Sequence, residues 1–165
     1  MIVKPEITAY RPCVGVMLIN DKGLVWLGRR FEKQNDDGIG KWWQMPQGGI
    51  DEGEDAAKAA LRELQEETAV TSAHVIAEAP GWYKYDLPDH LIGKSWGGKY
   101  RGQKQKWFAM KFDGPDSEIN LKPPGHKQEF DEWRWAKMDE MLDIIIPFKR
   151  AVYVDVIAAF RHLGA

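Results

Sequence analysis

The sequence predicts an α+β domain, a mixed sheet with helices covering it. Three observations carry that expectation. A strand, a tight turn and a second strand run from Val14 to Arg30. An amphipathic segment from Glu54 to Thr68 repeats its apolar residues at helical spacing, and a second such segment runs from Pro147 to Leu163. Between the helical segments lie short runs rich in β-branched and aromatic residues, bounded by Gly, Pro and Asp, as strands require.

Taken in order, Val14-Gly15-Val16-Met17-Leu18-Ile19 reads as a strand, Asn20-Asp21-Lys22-Gly23 as a turn, and Leu24 to Arg30 as the hairpin partner. Residues 31–41 are polar and glycine-rich, a loop. Trp42 to Pro46 is extended, because the residue before a proline avoids the helical region. The helix over Glu54–Thr68 takes Ala57, Leu61 and Leu64 as its buried stripe at i, i+4, i+7, with its acidic face to one side. Val75–Glu78 and Trp82–Leu87 read as strands, and Pro88–Gly102 as a long loop with paired glycines. Gln103 to Phe112 alternates, with Lys104, Lys106, Phe108, Met110 and Phe112 on one face and Gln103, Gln105, Trp107 and Ala109 on the other. A loop with three prolines spans Asp113–Lys127, and Phe130–Ala136 is a strand. Pro147 suits the first position of a helix striped by Val152, Val156, Phe160 and Leu163.

A chain of 165 residues is one domain's worth, and buries about two-thirds of its unfolded surface. The expectation is a single domain over 1–165, with no repeat or linker. A net charge of −2 excludes a uniformly basic nucleic-acid coat, so any polyanion must be gripped by a local patch. The lone Cys13 forms no internal disulfide, which fits a reducing cytoplasm. His74, His90, His126 and His162 lack ligand spacing, so zinc is not expected. The segment Met1–Glu6 has no apolar core of a signal peptide, and no stretch approaches 18 apolar residues, so nothing spans a membrane. Of the eight tryptophans, at least five are expected to pack in the core, with one or two left to line a base-stacking site.

The chemistry concentrates in Arg62-Glu63-Leu64-Gln65-Glu66-Glu67. Glu63, Glu66 and Glu67 stand at i, i+3 and i+4, so a helix sets three carboxylates on neighbouring positions. Like charges at that spacing destabilise a helix unless a cation binds them. A hard divalent cation, Mg²⁺ above all, is the economical partner, and it usually arrives with a phosphate. Spacing alone also fits a solvated acidic face. The context tips the reading: Gln47-Gly48-Gly49 supplies a permissive elbow, and Asp51-Glu52-Gly53-Glu54 supplies acids and a cap where a helix begins.

These residues resemble the box of the Nudix hydrolase family over residues 48–70. Gly48, Glu54, Arg62, Glu63, Leu64, Glu66, Glu67 and Val70 fall on fixed positions of that box. The one departure is Ala69, where the family carries Gly. Further segments, Trp43–Ile50, Gly102–Phe108, Phe130–Trp135 and Phe148-Lys149-Arg150, look like the branch containing bacterial RNA pyrophosphohydrolases and dinucleoside polyphosphate hydrolases. Residues 93–101 and 113–127 have no counterpart in that resemblance.

The resemblance implies an α/β/α sandwich with a mixed central sheet. It implies Mg²⁺, two or more ions, with Mn²⁺ or another divalent cation able to substitute. The implied metal ligands are Glu63, Glu66, Glu67, a backbone carbonyl at Gly48, and Glu129 from outside the box. Glu63, Glu67 and Arg62 form the implied catalytic set, with Glu63 as general base and Arg62 orienting a neighbouring glutamate. Glu54 is expected to support the helix start or pair with Arg62. Arg30, Gln103, Lys104, Lys106, Phe148 and Lys149 are the expected substrate grip, Arg29 and Arg150 adding charge, with Phe148 stacking a base against Arg30. The leading substrate is the 5′-triphosphorylated or diphosphorylated end of RNA, cut to a monophosphate as a first step of RNA decay. The alternative is asymmetric cleavage of diadenosine tetraphosphate, and a third reading is a nucleotide-binding module without catalysis, which expects eroded glutamates. A monomer is expected, and a protein activator is left open.

Overall fold

A computed structural model describes residues 9–30, 42–93 and 95–165, excepting the side chains of 95 and 96. The expected loop over 31–41 and the segment Met1–Glu6 lie outside the described residues.

Among the described residues eight strands make one mixed sheet: β1 (Tyr10–Ile19), β2 (Val25–Arg30), β3 (Trp43–Gln44), β4 (Gln47–Gly49), β5 (Ala73–Glu78), β6 (Tyr83–Asp86), β7 (Gly102–Phe112) and β8 (Phe130–Ala136). Helix α1 (Ala56–Thr68) covers one face and α2 (Arg150–Phe160) the other. The backbone of the sheet is a parallel pairing of β1 with β7 over ten residue pairs, Tyr10↔Gly102 through Ile19↔Lys111. Strand alternation then sorts the core. Val14, Val16, Leu18, Phe108 and Met110 pack with Leu64 of α1, while Met17, Ile19, Trp107 and Ala109 pack with Tyr153 and Val156 of α2. The α/β/α sandwich is borne out.

Two expectations change. The β1–β2 hairpin is reduced to its base, where Ile19 opposes Val25. One side of β1 is occupied by β7, and the other accepts β4 and the Pro46 carbonyl, so β2 pairs instead with β8 along its length. The stripe of α1 is also rotated from that expected. Ala59, Ala60, Leu64, Glu67 and Thr68 are buried, whereas Leu61 is 40% exposed. The buried face therefore runs through Glu67 itself. The alternation of β7, the span of β8 and the apolar stripe of α2 through Val152, Val156 and Phe160 agree with expectation. Trp26 and Trp107 are fully buried, and Trp43, Trp133 and Trp135 pack against the two clusters.

Asp55 caps α1, accepting from the Lys58 amide at 3.2 Å. The helix ends at Ala69, which holds φ 65° and ψ 5° and donates its amide to the Gln65 carbonyl. Among the described residues it is the one non-glycine with positive φ. An L-residue with a Cβ is strained there, where Gly is not. Ala69→Gly is accordingly expected to stabilise the protein by about 1 kcal/mol, raising Tm by roughly 2–4 °C in a chain of this size. Thermal denaturation checks this, and a lower Tm would reject the strain.

Candidate active site

Sheet and helices meet in a cavity of about 500 Å³ at the end of β1 and β7. One wall is acidic: α1 contributes Glu63, Glu66 and Glu67, and the segment before β8 contributes Glu129. The opposite wall carries Tyr85 from β6, Phe148 and Lys149 ahead of α2, Arg30 from β2, and the nearby Leu87 and Leu91. Its floor is β4 with Gln44, Gln103 and Arg11.

The acidic wall is held by Arg62. Its guanidinium donates to both oxygens of Glu54 at 2.8 and 2.9 Å, to Glu63 at 3.0 Å, to Glu66 at 3.2 Å and to the Gly49 carbonyl at 3.0 Å. Glu54 also accepts from the Asp51 amide at 3.0 Å. The Arg62 hydrogen bonds, with that amide, hold the Glu54 carboxyl down at about 2. Glu54 and Arg62 thus tie the start of α1 to β4 and fix where the other carboxylates sit.

Glu63 and Glu67 feel the opposite force. Burial pushes Glu63 up to about 7, against the pull of Arg62 and reinforced by Glu66. Glu67 is only 5% exposed, and burial, then Glu63 and Glu129, raises it well above the ordinary carboxylate range. The Gln47 amide donates to it, yet Glu67 Oε2 is enclosed without a hydrogen-bond partner. An ionised buried oxygen without a partner is strongly unfavourable. No group of three or more His, Cys, Asp or Glu among the described residues is drawn into metal-holding geometry. In its place Arg62 bridges Glu63 and Glu66. The orphaned oxygen, the hard donor set and the adjoining β4 backbone fit an oxygen-loving divalent cation.

Gly48 is where the backbone must pass close. It pairs with Val14 in the sheet, and a methyl group added there would overlap the Glu63 carboxylate.

On the opposite wall, Phe148 and Tyr85 lie 5.6 Å apart at 40°. Lys149 is 7% exposed and donates to Gln44 Oε1 at 3.3 Å. Burial and the neighbouring Arg30 bring its ammonium down to about 7. Arg30 stands 3.9 Å from Glu129 and so links the two walls. Gln103 is buried on the floor, accepting from Gln105 at 2.7 Å, and Gln105 in turn accepts from the Trp107 indole at 3.0 Å.

Lys104 and Lys106 do not line the cavity. They alternate with Gln103 and Gln105, so they project from the other face of β7. There Lys104 lies 5.1 Å over the Trp82 ring and Lys106 stands 3.9 Å from Glu78. Arg29 likewise faces away from Arg30, paired with Asp131 at 2.9 Å and Glu132 at 3.1 Å. No described tryptophan lines the cavity, whose aromatic surface comes from Phe148 and Tyr85. Tyr85, Arg11 and Gln44 escaped the sequence reading, whereas Gln47 stands in the elbow that the sequence singled out. Tyr85 left a signal, because it shares the alternating inner face of β6 with Tyr83, but the sequence does not show that this face reaches the acidic helix.

Residues 9–156 match the NUDIX domain model. The chain belongs to the Nudix family. A curated RNA pyrophosphohydrolase from Brucella ovis is 56% identical over 99% of this chain and 94% of its own length. Another from Brucella anthropi is 55% identical over 99% and 96%. Among solved structures, a C. elegans Ap4A hydrolase binary complex aligns with TM-score 0.63 at 18% identity, over 92% of this chain and 98% of that one. The E. coli dihydroneopterin triphosphate pyrophosphohydrolase gives TM-score 0.65 at 18% identity, over 92% and 99%. Those two likenesses concern the Nudix fold alone.

Gly48→Ala is expected to displace the Glu63 carboxylate and to abolish most of the Tm increase produced by Mg²⁺. A thermal shift titration with MgCl₂ measures it. A variant that keeps the full wild-type shift would show that the close approach is unimportant for the metal.

Proposed function

We propose that this chain is a divalent-cation-dependent RNA 5′-pyrophosphohydrolase. It converts a 5′-triphosphorylated or diphosphorylated end to a monophosphate, and one catalytic unit spans the chain. The observation that carries the reading is a buried, under-neutralised glutamate wall facing an aromatic and cationic wall across one cavity. The names of the 55–56% identical relatives support it.

In this reading Glu63, Glu66, Glu67, Glu129 and the Gly48 carbonyl hold the cation, Mg²⁺ or Mn²⁺. When bound, it neutralises phosphate charge and lowers the pKa of a water molecule. The protein's own residues do the rest. Arg62 is bonded to Glu54, Glu63 and Glu66, so it positions carboxylates and leaves phosphate binding to others. Glu63, pressed against Gly48, accepts the proton of the attacking water. Glu67 adds its fixed charge from within the buried stripe. Lys149 and Arg30 meet the 5′ phosphates from the opposite wall, and an incoming anion favours the charged form of Lys149. Phe148 offers its face to a base, with Arg30 on the same cavity. Gln103 is a polar contact on the floor. Lys104 and Lys106, on the other face of β7, are not part of this grip.

No described helix is long and apolar enough to cross a membrane. The buried, unbridged Cys13 is in keeping with the cytoplasm, where RNA 5′ ends are processed.

Side-by-side kinetics on triphosphorylated RNA and on diadenosine tetraphosphate test the reading. RNA is expected to give the higher kcat/KM. Base stacking is worth about 1–3 kcal/mol, so Phe148→Ala should lower the RNA value roughly 10-fold. A higher kcat/KM on the dinucleotide, with RNA turnover indifferent to Phe148→Ala, would make the chain a dinucleoside polyphosphate hydrolase instead.

A further inference from the structure

A second, smaller cavity of about 170 Å³ adjoins the acidic wall. It shares Glu63, Glu66, Glu67 and Glu129 with the main cavity, and its remaining lining is His126 and Lys127. Both side chains are exposed and are presented by a turn. Pro123 is buried, its carbonyl accepts from the His126 amide at 3.3 Å, and Gly125 holds φ 81°, a conformation suited to glycine. The two cavities differ in kind. Phe148, Tyr85, Leu87 and Leu91 give the main cavity surfaces for a nucleoside, whereas every described residue lining the smaller one is charged or a histidine. The substrate therefore has a direction: nucleoside in the large cavity, bond cleavage at the shared carboxylate wall, outer phosphates beyond it.

We propose that His126 and Lys127 form a leaving-group subsite that holds the pyrophosphate released from a triphosphorylated 5′ end. This rests on the functional reading above. In the step, the water oxygen bonds to the 5′ phosphorus and the bond from that phosphorus to the bridging oxygen breaks. The electron pair stays on the bridging oxygen, the water proton passes to a carboxylate, and pyrophosphate departs. Charge builds on the departing oxygens beside four glutamates, where they need local cations. Lys127, with His126 as a further donor, supplies them from the outer side, where Arg30 and Lys149 do not line the cavity.

The test compares wild type, Lys127→Ala, Lys127→Arg and His126→Ala on one RNA bearing either a triphosphate or a diphosphate end. Inhibition by pyrophosphate, and its binding by calorimetry in Mg²⁺ buffer, are measured in parallel. Lys127→Ala should lower kcat/KM on the triphosphate about 10-fold or more, the scale of a charge-assisted hydrogen bond, with a smaller loss on the diphosphate. It should weaken pyrophosphate binding by a similar factor. Lys127→Arg should recover most of both, and His126→Ala should show the same pattern more weakly. Equal losses on both ends with unaltered pyrophosphate binding would overturn the proposal, as would wild-type values throughout. Should wild type cleave neither RNA, the functional reading fails, while the calorimetry still decides the subsite: unaltered pyrophosphate binding in Lys127→Ala overturns it.

Discussion

The structure turns on one electrostatic constraint: Glu67 occupies the buried stripe of α1, with Glu63 beside it and one carboxylate oxygen unpartnered. A helix that packs Ala60 and Leu64 against the sheet must place the residues three and four positions past Leu64, Glu67 and Thr68, against the sheet as well. Apolar side chains are the ordinary occupants of such a position. Burial opposes the charged form of a carboxylate there, and in the proposed function a bound cation offsets that cost.

The surrounding architecture serves that constraint. Arg62 neutralises the rim of the cluster through Glu63 and Glu66 while anchoring itself on Glu54 and the Gly49 carbonyl. It leaves Glu67 beyond its reach. The register of β4 against β1 sets Gly48 beneath Glu63, where an added Cβ would displace the carboxylate. The sheet also brings the N-terminal side of α2 to the same cavity, so Lys149 and Arg30 line it together with the acids. Arg30 stands 3.9 Å from Glu129. Two opposed walls, each of one predominant sign, are what a polyphosphate bridged by a cation requires.

Much of this was legible in the sequence, for physical reasons that are specific. The i, i+3, i+4 glutamates and Arg62 are local, and helical geometry alone brings them together, whereas Gly48 was legible only through the family resemblance, because sheet register sets it beneath Glu63. The two faces of β7 were legible because alternation is local too. Which of those faces meets the cavity was not: Lys104 and Lys106 share a strand with Gln103 yet point to the opposite side. That choice depends on the parallel pairing of β1 with β7 and on where β4 lies, both long-range. The stripe of α1 was misjudged because Leu61 is a better apolar residue than Glu67, and hydrophobicity could not reveal a deliberately buried acid. The hairpin expected from Val14 to Arg30 gave way because β1 had two stronger partners. Ala69, visible as a departure from the family box, proved to keep the left-handed backbone that glycine would adopt.

The most direct test of this account is the stability of wild type and Glu67→Gln, with and without Mg²⁺, between pH 5 and pH 8. Glu63 is raised to about 7 and Glu67 well above the usual range, so the fold favours their protonated forms. The Glu63 contribution to metal-free stability is full below about pH 4.5 and is lost as pH rises through 7, and the Glu67 contribution falls with rising pH in the same direction. Metal-free wild type should therefore lose Tm from pH 5 to pH 8, and Mg²⁺ should restore it at pH 8. Glu67→Gln should be the more stable protein at pH 8 without metal, with a shallower pH dependence and little response to Mg²⁺. A Glu67→Gln protein less stable than wild type at pH 8 without metal, or one with an undiminished Mg²⁺ response, would contradict the account.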